Sequence, residues 1–373
     1  TLAEIVEKIR HATMLRGDMR KVNNMSRKIL ILGASYGSLL GTKLLMAGHD
    51  VTLVCRQATA DLINAEGTEV RIKLRDEETH RSFRSKQLPG TLDACPPSGV
   101  HLARYDLVAL AMSEPQYGSD DISALLDAIA ASGLPCMSIM NMPPLPYLKR
   151  IPGLDAERLK PAFNNLKGWE AFRPGNVTLC SPDPQAFRPP EEKPNVLHVG
   201  LPTNFKSAPF EDAAHNEMLR ELEADIDAVR VDGKDVPVKL RVFDSLFVPF
   251  ATWSMLRAGN YRCVLPSGAQ PIKDAVLGDK EKSQRIYEAV AGIVLRLGGE
   301  PDSLVPFEKY ANAASGLLKP SSAARAIEGG ADRIERVDLL VNLIADQLNV
   351  QIPEVDEVAG TVSMRLAANG QDA

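Results

Sequence analysis

Gly33, Ala34, Ser35, Tyr36, Gly37 and Ser38 stand between an apolar stretch, KILILG, and a stretch of helical spacing, SLLGTKLLMAG. Glycines in such a turn let the backbone approach a pyrophosphate. The helix that follows supplies N–H donors and the positive end of its dipole. The spacing here is G-x-x-x-G-x-x-x-G, with Ser35 near the middle glycine position of the usual G-x-G-x-x-G. The competing reading is a tight turn in a fold that binds something else. At the end of the next apolar stretch, DVTLVCR, an acidic residue would hold the ribose hydroxyls of NAD(H); the sequence instead has Cys55-Arg56-Gln57. A guanidinium at that point can grip a 2′-phosphate with two parallel bonds. The pattern therefore favours NADP(H), against a solvated arginine at a strand end.

Other chemistries find little support. His11, His49, His80, His101, His198 and His215 are scattered and none pairs with a second ligand at metal-site spacing, so no metal is expected. Neither a G-x-S-x-G elbow nor a Walker loop occurs, which removes hydrolase and P-loop readings. A net charge of −5 argues against a nucleic-acid binder. No apolar run reaches the ~18–20 residues that span a bilayer, and the charged first 24 residues do not read as a signal peptide. Five cysteines, odd in number and without a C-x-x-C pair, fit a reducing cytoplasm.

The elements that would position the turn alternate strand and helix. KILILG, DVTLVCR, YDLVALAM and PCMSIMN read as buried strands, with DDISALLDAIAAS helical between the last two. This predicts a Rossmann-type, doubly wound parallel α/β sheet. Eight prolines between residues 173 and 210 suit hairpin edges and a long crossing loop rather than a sheet core. From Glu211 onward the spacing is helical, including PVKLRVFDSLFVPFATWSMLRAG. The expected organisation is an N-terminal extension (1–24), which is either an added helix or an upstream extension; a dinucleotide-binding α/β domain with its proline-rich connection (25–210); and an all-helical domain for substrate and dimerisation (211–373).

GHDVTLVCR after a Rossmann-like first helix resembles the ketopantoate reductase (2-dehydropantoate 2-reductase) family, whose plan is shared with 6-phosphogluconate dehydrogenase-like enzymes. The resemblance extends over most of the chain from Met25. DLVALAMSEPQY resembles the family's fourth-strand motif, with Ser113 where the family usually has lysine and Gln116 retained as a cofactor contact. MSIMNMPP resembles the strand ending in Asn-Gly: Asn141 is kept and Met142 replaces the glycine. FRPGNVT and LLKPSSAARAIEGGADRIERVDLLVNLIADQLNVQIP resemble the linking strand and the helical-domain segment.

The resemblance implies NADPH-dependent reduction of a 2-oxo acid to a 2-hydroxy acid, with substrate between the two domains and a homodimer as the assembly. It also implies a lysine acid on a helix of the helical domain. Lys239 takes that place if the Lys-Leu pair is aligned. Anchoring on Pro249 puts Leu240 there instead, and one residue is ~100° of helix rotation. In the second register Asp244 takes the place of a substrate-side asparagine. Ser322 matches the family's serine, with a helix N-cap as its alternative. The family's glutamate falls on Arg333, with Glu335 two residues on; Arg333 is read either as a clamp for a substrate carboxylate or as a solvated face. Asn141 ends a buried strand at the carboxyl edge of the sheet, where ligands bind in open α/β folds, and would touch cofactor and substrate; its alternative is a simple turn. Two rivals remain: a same-fold dehydrogenase acting on an imine or hydroxy acid, and a dinucleotide-binding protein without catalysis.

Overall fold

β1 (Lys28–Leu32) is the first strand of the computed structural model, which describes residues 26–371; the expected extension over 1–24 lies outside the described residues. The chain forms two compact units, each assembled from separate stretches. One contains the described residues through Met112, Ser119–Met140 and Gly175–Phe243; the other contains Ser113–Gly118, Asn141–Pro174 and the described residues from Asp244 onward.

The first unit is built on an eight-stranded sheet. After β1 come β2 (Asp50–Val54), β3 (Glu69–Lys73), β4 (His80–Arg84), β5 (Leu92–Cys95), β6 (Leu107–Leu110), β7 (Cys136–Ile139), β8 (Val177–Ser181), β9 (Gln185–Phe187), β10 (Val196–Leu201), β11 (Phe205–Ser207), the two-residue pair β12 (Arg230–Val231) and β13 (Lys234–Asp235), and β14 (Leu240–Val242). The sheet order is β14-β11-β8-β7-β6-β1-β2-β5. Its six strands from β8 to β5 are parallel, in a doubly wound order that reverses at β1. A second sheet, β4-β3-β10-β9, lies in the same unit.

The main sheet forms because its central strands are apolar on both faces. Ile29, Leu30, Ile31 and Leu32 are wholly buried, as are Leu107 to Leu110 apart from a trace. Each fully buried leucine or isoleucine contributes about 1.5–3 kcal/mol relative to exposure. Helix α1 (Gly37–Met46) is buried along its whole length. The remaining helices of this unit are α2 (Gln57–Glu66), α3 (Asp120–Ser132) and α4 (Ala213–Ala228). Asp212 caps α4 by accepting from Ala214 N at 2.7 Å and His215 N at 3.2 Å.

Two expectations change here. The proline-rich stretch includes β8, a fully buried strand of the main sheet, because Pro174, Pro182, Pro184, Pro189, Pro190, Pro194, Pro202 and Pro209 fall between strands and interrupt none. The helix expected over PVKLRVFDSLFVPFATWSMLRAG is absent from its first half. Val236, Val238, Leu240 and Val242 alternate as buried residues, a period of two, and 240–242 join the sheet as β14. The compact division also differs from a boundary at 210, since α4 packs on β14 and α1 and so belongs with the sheet.

The second unit is helical: α5 (Ile272–Leu277), α6 (Lys280–Leu297), α7 (Phe307–Ala314), α8 (Ser322–Glu328), α9 (Val337–Gln347) and α10 (Pro353–Gln371), preceded by a π turn at Leu256–Asn260. In α6, Ile286, Tyr287, Val290, Ile293, Val294 and Leu297 form one buried stripe at three- and four-residue spacing. Asp279 caps its start by accepting from Lys282 N, and Gly298, at φ +116°, ends it. Among the described residues no helix is long and apolar enough to cross a membrane.

Candidate functional site

In the first unit the glycine turn follows β1 directly. Gly33 has φ +105°, and its N–H donates to Val54 O at 3.1 Å. A Cβ at Gly33 would lie 2.6 Å from Ala111 O and 2.7 Å from Met112 Cγ, and one at Gly37 would lie 2.5 Å from Ile31 Cγ2. Both positions therefore exclude a side chain. Gly37 N donates back to Gly33 O at 3.1 Å, and the Ser38 hydroxyl donates to Ser35 O at 2.8 Å. Among the described residues no acceptor takes the amides of Ala34, Ser35 and Tyr36. Glycines that clear space, with open amides at the head of a ten-residue helix, fit a pyrophosphate. The Tyr36 hydroxyl is spent within the protein, donating to Pro184 O at 2.6 Å, while its ring meets Phe205 edge-on. Arg56 is exposed at the N-cap of α2, immediately beyond β2.

Lys239 lies in this unit, not on a helix. It precedes β14, with its ammonium 2.8 Å from Asp227 Oδ1 and 2.7 Å from Asp235 Oδ1. Arg241 shares Asp227 at 2.8 Å. On α1 the wholly buried Lys43 donates to Val236 O and Pro237 O at 3.1 and 3.0 Å. Burial pushes its ammonium down to about 7, with the charge of Lys239 acting in the same direction. These lysines hold the strand that the sequence reading took for a helix. Both registers proposed for Lys239 and Leu240 presumed that helix.

The second unit contains a carboxylate network that the sequence reading did not find. Glu114 is completely buried. Its carboxylate accepts from Asn164 N at 3.0 and 3.1 Å, Asn164 Nδ2 at 2.6 Å, Asn165 N at 2.9 Å and Trp169 Nε1 at 3.2 Å. Among the described residues no cation pairs with it, so N–H donors alone replace its hydration. Asn164 Nδ2 also donates to Ile334 O at 3.2 Å, and Glu114 N donates to Glu335 Oε1 at 3.3 Å. Asn141 bonds the Glu335 side chain as well. Desolvation pushes the Glu335 carboxyl up to about 8, with the Glu114 charge acting in the same direction; the bonds from Glu114 N and Asn141 oppose it. Tyr261 fixes the backbone there, donating to Glu335 O at 2.6 Å and accepting from Val337 N at 3.1 Å.

The remaining expected residues are placed as follows. Gln116 Oε1 accepts from Ser113 N and Ser113 Oγ, each at 3.0 Å. Asp244 is exposed in a bend. Ser322 is exposed at the first position of α8. The helix cap there is Ser321, whose hydroxyl donates to Asn260 O at 2.6 Å and accepts from Ala324 N at 3.2 Å. Arg333 is exposed outside any helix, 3.8 Å from Asp332. The carboxyl that the fold brings to Asn141 is Glu335, two residues beyond the expected position. The sequence signals were its place in DRIER and the acidic residue following Ser113. Neither reveals that the two meet across 221 residues.

Residues 29–127 match the model of a family described as ketopantoate reductase PanE/ApbA. No curated protein matches the sequence. Solved structures share the fold at low identity. A PanE/ApbA family ketopantoate reductase from Ralstonia eutropha JMP134 is 16% identical, with a TM-score of 0.62, covering 92% of this chain and 99% of its own. D-mandelate dehydrogenase, in a ternary structure with NADH and anilino(oxo)acetate, is 13% identical, with a TM-score of 0.62 and the same coverage. A dimeric ketopantoate reductase from Staphylococcus aureus is 11% identical, with a TM-score of 0.56, covering 92% of this chain and all of its own. Residues 29–127 thus carry a sequence pattern similar to that of the ketopantoate reductase family, and the chain is similar in fold to a solved ketopantoate reductase over nine-tenths of its length.

Proposed function

We propose that this protein is an NADPH-dependent oxidoreductase that reduces a small 2-oxo acid to the 2-hydroxy acid. The observation that carries this reading is the glycine cradle with open amides, followed beyond the end of the next strand by Arg56. The amides of Ala34, Ser35 and Tyr36 with the head of α1 hold the pyrophosphate, and Arg56 takes the 2′-phosphate. The bound cofactor supplies the hydride. Glu335, which keeps its proton at neutral pH, acts as the acid and delivers that proton to the carbonyl oxygen as negative charge builds there. Asn141 holds the Glu335 carboxyl in place and presents the other end of its amide to substrate. Arg333, with its exposed guanidinium, is the proposed partner of the substrate carboxylate.

The acid role moves from Lys239 to Glu335 because two carboxylates already engage the lysine ammonium. Asp244 and Ser322 have no part in this scheme. A homodimer is proposed, as in the Staphylococcus aureus relative. The absence of disulfides among five cysteines is compatible with the proposed cytoplasmic location.

The test is a fluorescence titration with NADPH and NADH, followed by turnover on a panel of 2-oxo acids that includes 2-dehydropantoate. Tight NADPH binding with turnover on one of these acids supports the reading. Dinucleotide binding without turnover on any carbonyl or imine would favour the non-catalytic rival, and no binding would remove both.

A further inference from the structure

Tyr36 stands at the N-cap of α1, where a serine or aspartate would turn its side chain back onto the first-turn amides. Tyr36 caps none of them. Its side chain leaves the glycine turn instead, and the hydroxyl donates to Pro184 O at 2.6 Å. The ring meets the buried Phe205 edge-on, with centroids 5.9 Å apart.

These two contacts belong to one closed circuit. Asp183 adjoins Pro184 in the chain and pairs with Lys206 Nζ at 2.9 Å; Lys206 adjoins Phe205, whose ring returns to Tyr36. The circuit is fastened to the main sheet: β11 sets Lys206 opposite Ser181 and Ser207 opposite Cys180 of β8, and Phe205 N donates to Lys239 O at 2.8 Å. Between β8 and β9 the chain runs Pro182-Asp183-Pro184, so two fixed φ angles keep the carbonyl that Tyr36 uses on a stiff stretch. Within the turn itself, Gly37 N and Ser38 N bond back to Gly33 O and Ser35 O at 3.1 and 3.4 Å. A turn with so few bonds of its own takes part of its rigidity from what its one large side chain grips.

We propose that the Tyr36 side chain positions the open amides of Ala34, Ser35 and Tyr36 for the cofactor's pyrophosphate, with the circuit through Pro184, Asp183, Lys206 and Phe205 as its anchor. This rests on the reading of the cradle as a dinucleotide site. Donors held in place before an anion arrives bind it without the entropic cost of ordering them. The hydroxyl acts through the backbone that bears it and does not itself touch the cofactor. The connection after β8, distant in sequence from the strand–turn–helix unit, thereby contributes to the affinity for NADPH and NADH alike.

The test uses the full chain and the fluorescence of NADPH and NADH, in wild type, Tyr36→Phe, Lys206→Met and the double variant, with ADP-ribose as a competitor. Tyr36→Phe is expected to weaken both cofactors about three- to tenfold, with their ratio within about twofold of wild type. ADP-ribose keeps the pyrophosphate and lacks the nicotinamide, so it should lose the same factor. Lys206→Met opens the circuit at a half-exposed ion pair and should cost both cofactors about twofold. The double variant should bind no worse than Tyr36→Phe alone, because one circuit is opened once. Lys206→Met also serves if Tyr36→Phe does not fold, which a thermal melt reveals. A lower melt with unchanged affinities means a structural bond alone and overturns the proposal, as do unchanged ADP-ribose affinity in Tyr36→Phe and losses that multiply independently in the double variant. A wild type that binds neither cofactor removes the reading of the cradle, and the proposal with it.

Discussion

The glycine cradle and the Glu114 network are both places where the chain holds or awaits negative charge, and they are built in opposite ways. The cradle is backbone: Gly33, Gly37 and the amides between them, within five residues of one another, shaped by a positive φ and by missing side chains. The network is side chain: Glu114, Asn141, Asn164, Trp169 and Glu335 come from three separate stretches and hold one another by hydrogen bonds. A backbone site is specified locally and tolerates drift elsewhere in the sequence. A side-chain network in a poorly hydrated interior is all-or-none, because each donor it loses leaves a buried group unpaired. The difference matches how the resemblance is distributed, with the family model stopping at residue 127, before Asn141, Asn164 and Glu335.

The largest effect that could sharpen this contrast is expected from Glu114→Ala. Removing the carboxylate strands the N–H groups of Asn164, Asn165 and Trp169, at a cost of about 3–5 kcal/mol in stability by chemical denaturation. NADPH affinity of the folded fraction should not change; if it collapses, the two regions are one device and the contrast is lost. Next comes Gly33→Ala, which forces a Cβ against Ala111 O at a strained φ and should cost about 1–3 kcal/mol. Here dinucleotide binding should disappear while the Glu335 titration stays as in wild type.

A third expectation concerns pH. Glu335 titrates near 8 in the folded protein and near its ordinary value of 4.5 when unfolded. Between those values the native state holds a proton that the unfolded chain has released, so its contribution to stability declines as pH rises from 4.5 to 8 and is gone above 8. Glu335→Gln should flatten that part of the stability profile, and wild-type turnover should fall as pH passes 8. Identical slopes for wild type and variant would place the titrating proton elsewhere. The smallest effect belongs to Lys239→Ala. Its partners Asp227 and Asp235 are largely solvated, so the loss should be at most about 1 kcal/mol, with turnover unchanged. A large fall in turnover with the melt unchanged would restore the lysine as the acid.

What could be read from the sequence follows the same division. The parallel sheet and glycine turn were legible because apolar runs and glycines act within a few residues. β14 was hidden by composition: Leu240 to Phe250 are apolar enough to read as helix, although the alternation of Val236, Val238, Leu240 and Val242 was present. The buried role of Glu114 had no local mark, since an acidic residue after a strand looks solvated until Asn164, Asn165 and Trp169 are known to surround it. The helix cap is Ser321, one position before Ser322, and the carboxyl that Asn141 bonds is Glu335, two positions beyond Arg333. The two-residue offset to Glu335 falls in the loop 329–336, where no regular structure fixes an alignment by resemblance.

The separation of 221 positions from Glu114 to Glu335 also sets a schedule. A ribosome adding roughly 5–20 residues per second makes Glu335 some ten to forty seconds after Glu114. Once Trp169 has been added, the cradle strand β1, α1 and the amides that embrace Glu114 have all left the decoding centre, while the carboxyl with the elevated proton affinity does not yet exist. A nascent chain in this window has the parts for gripping a dinucleotide before it has the group proposed to protonate a carbonyl. On the proposed function, the order of synthesis places the cradle that would hold a cofactor before the carboxyl that would act as the acid, and a pause in translation between α6 and α9 would prolong the interval between them.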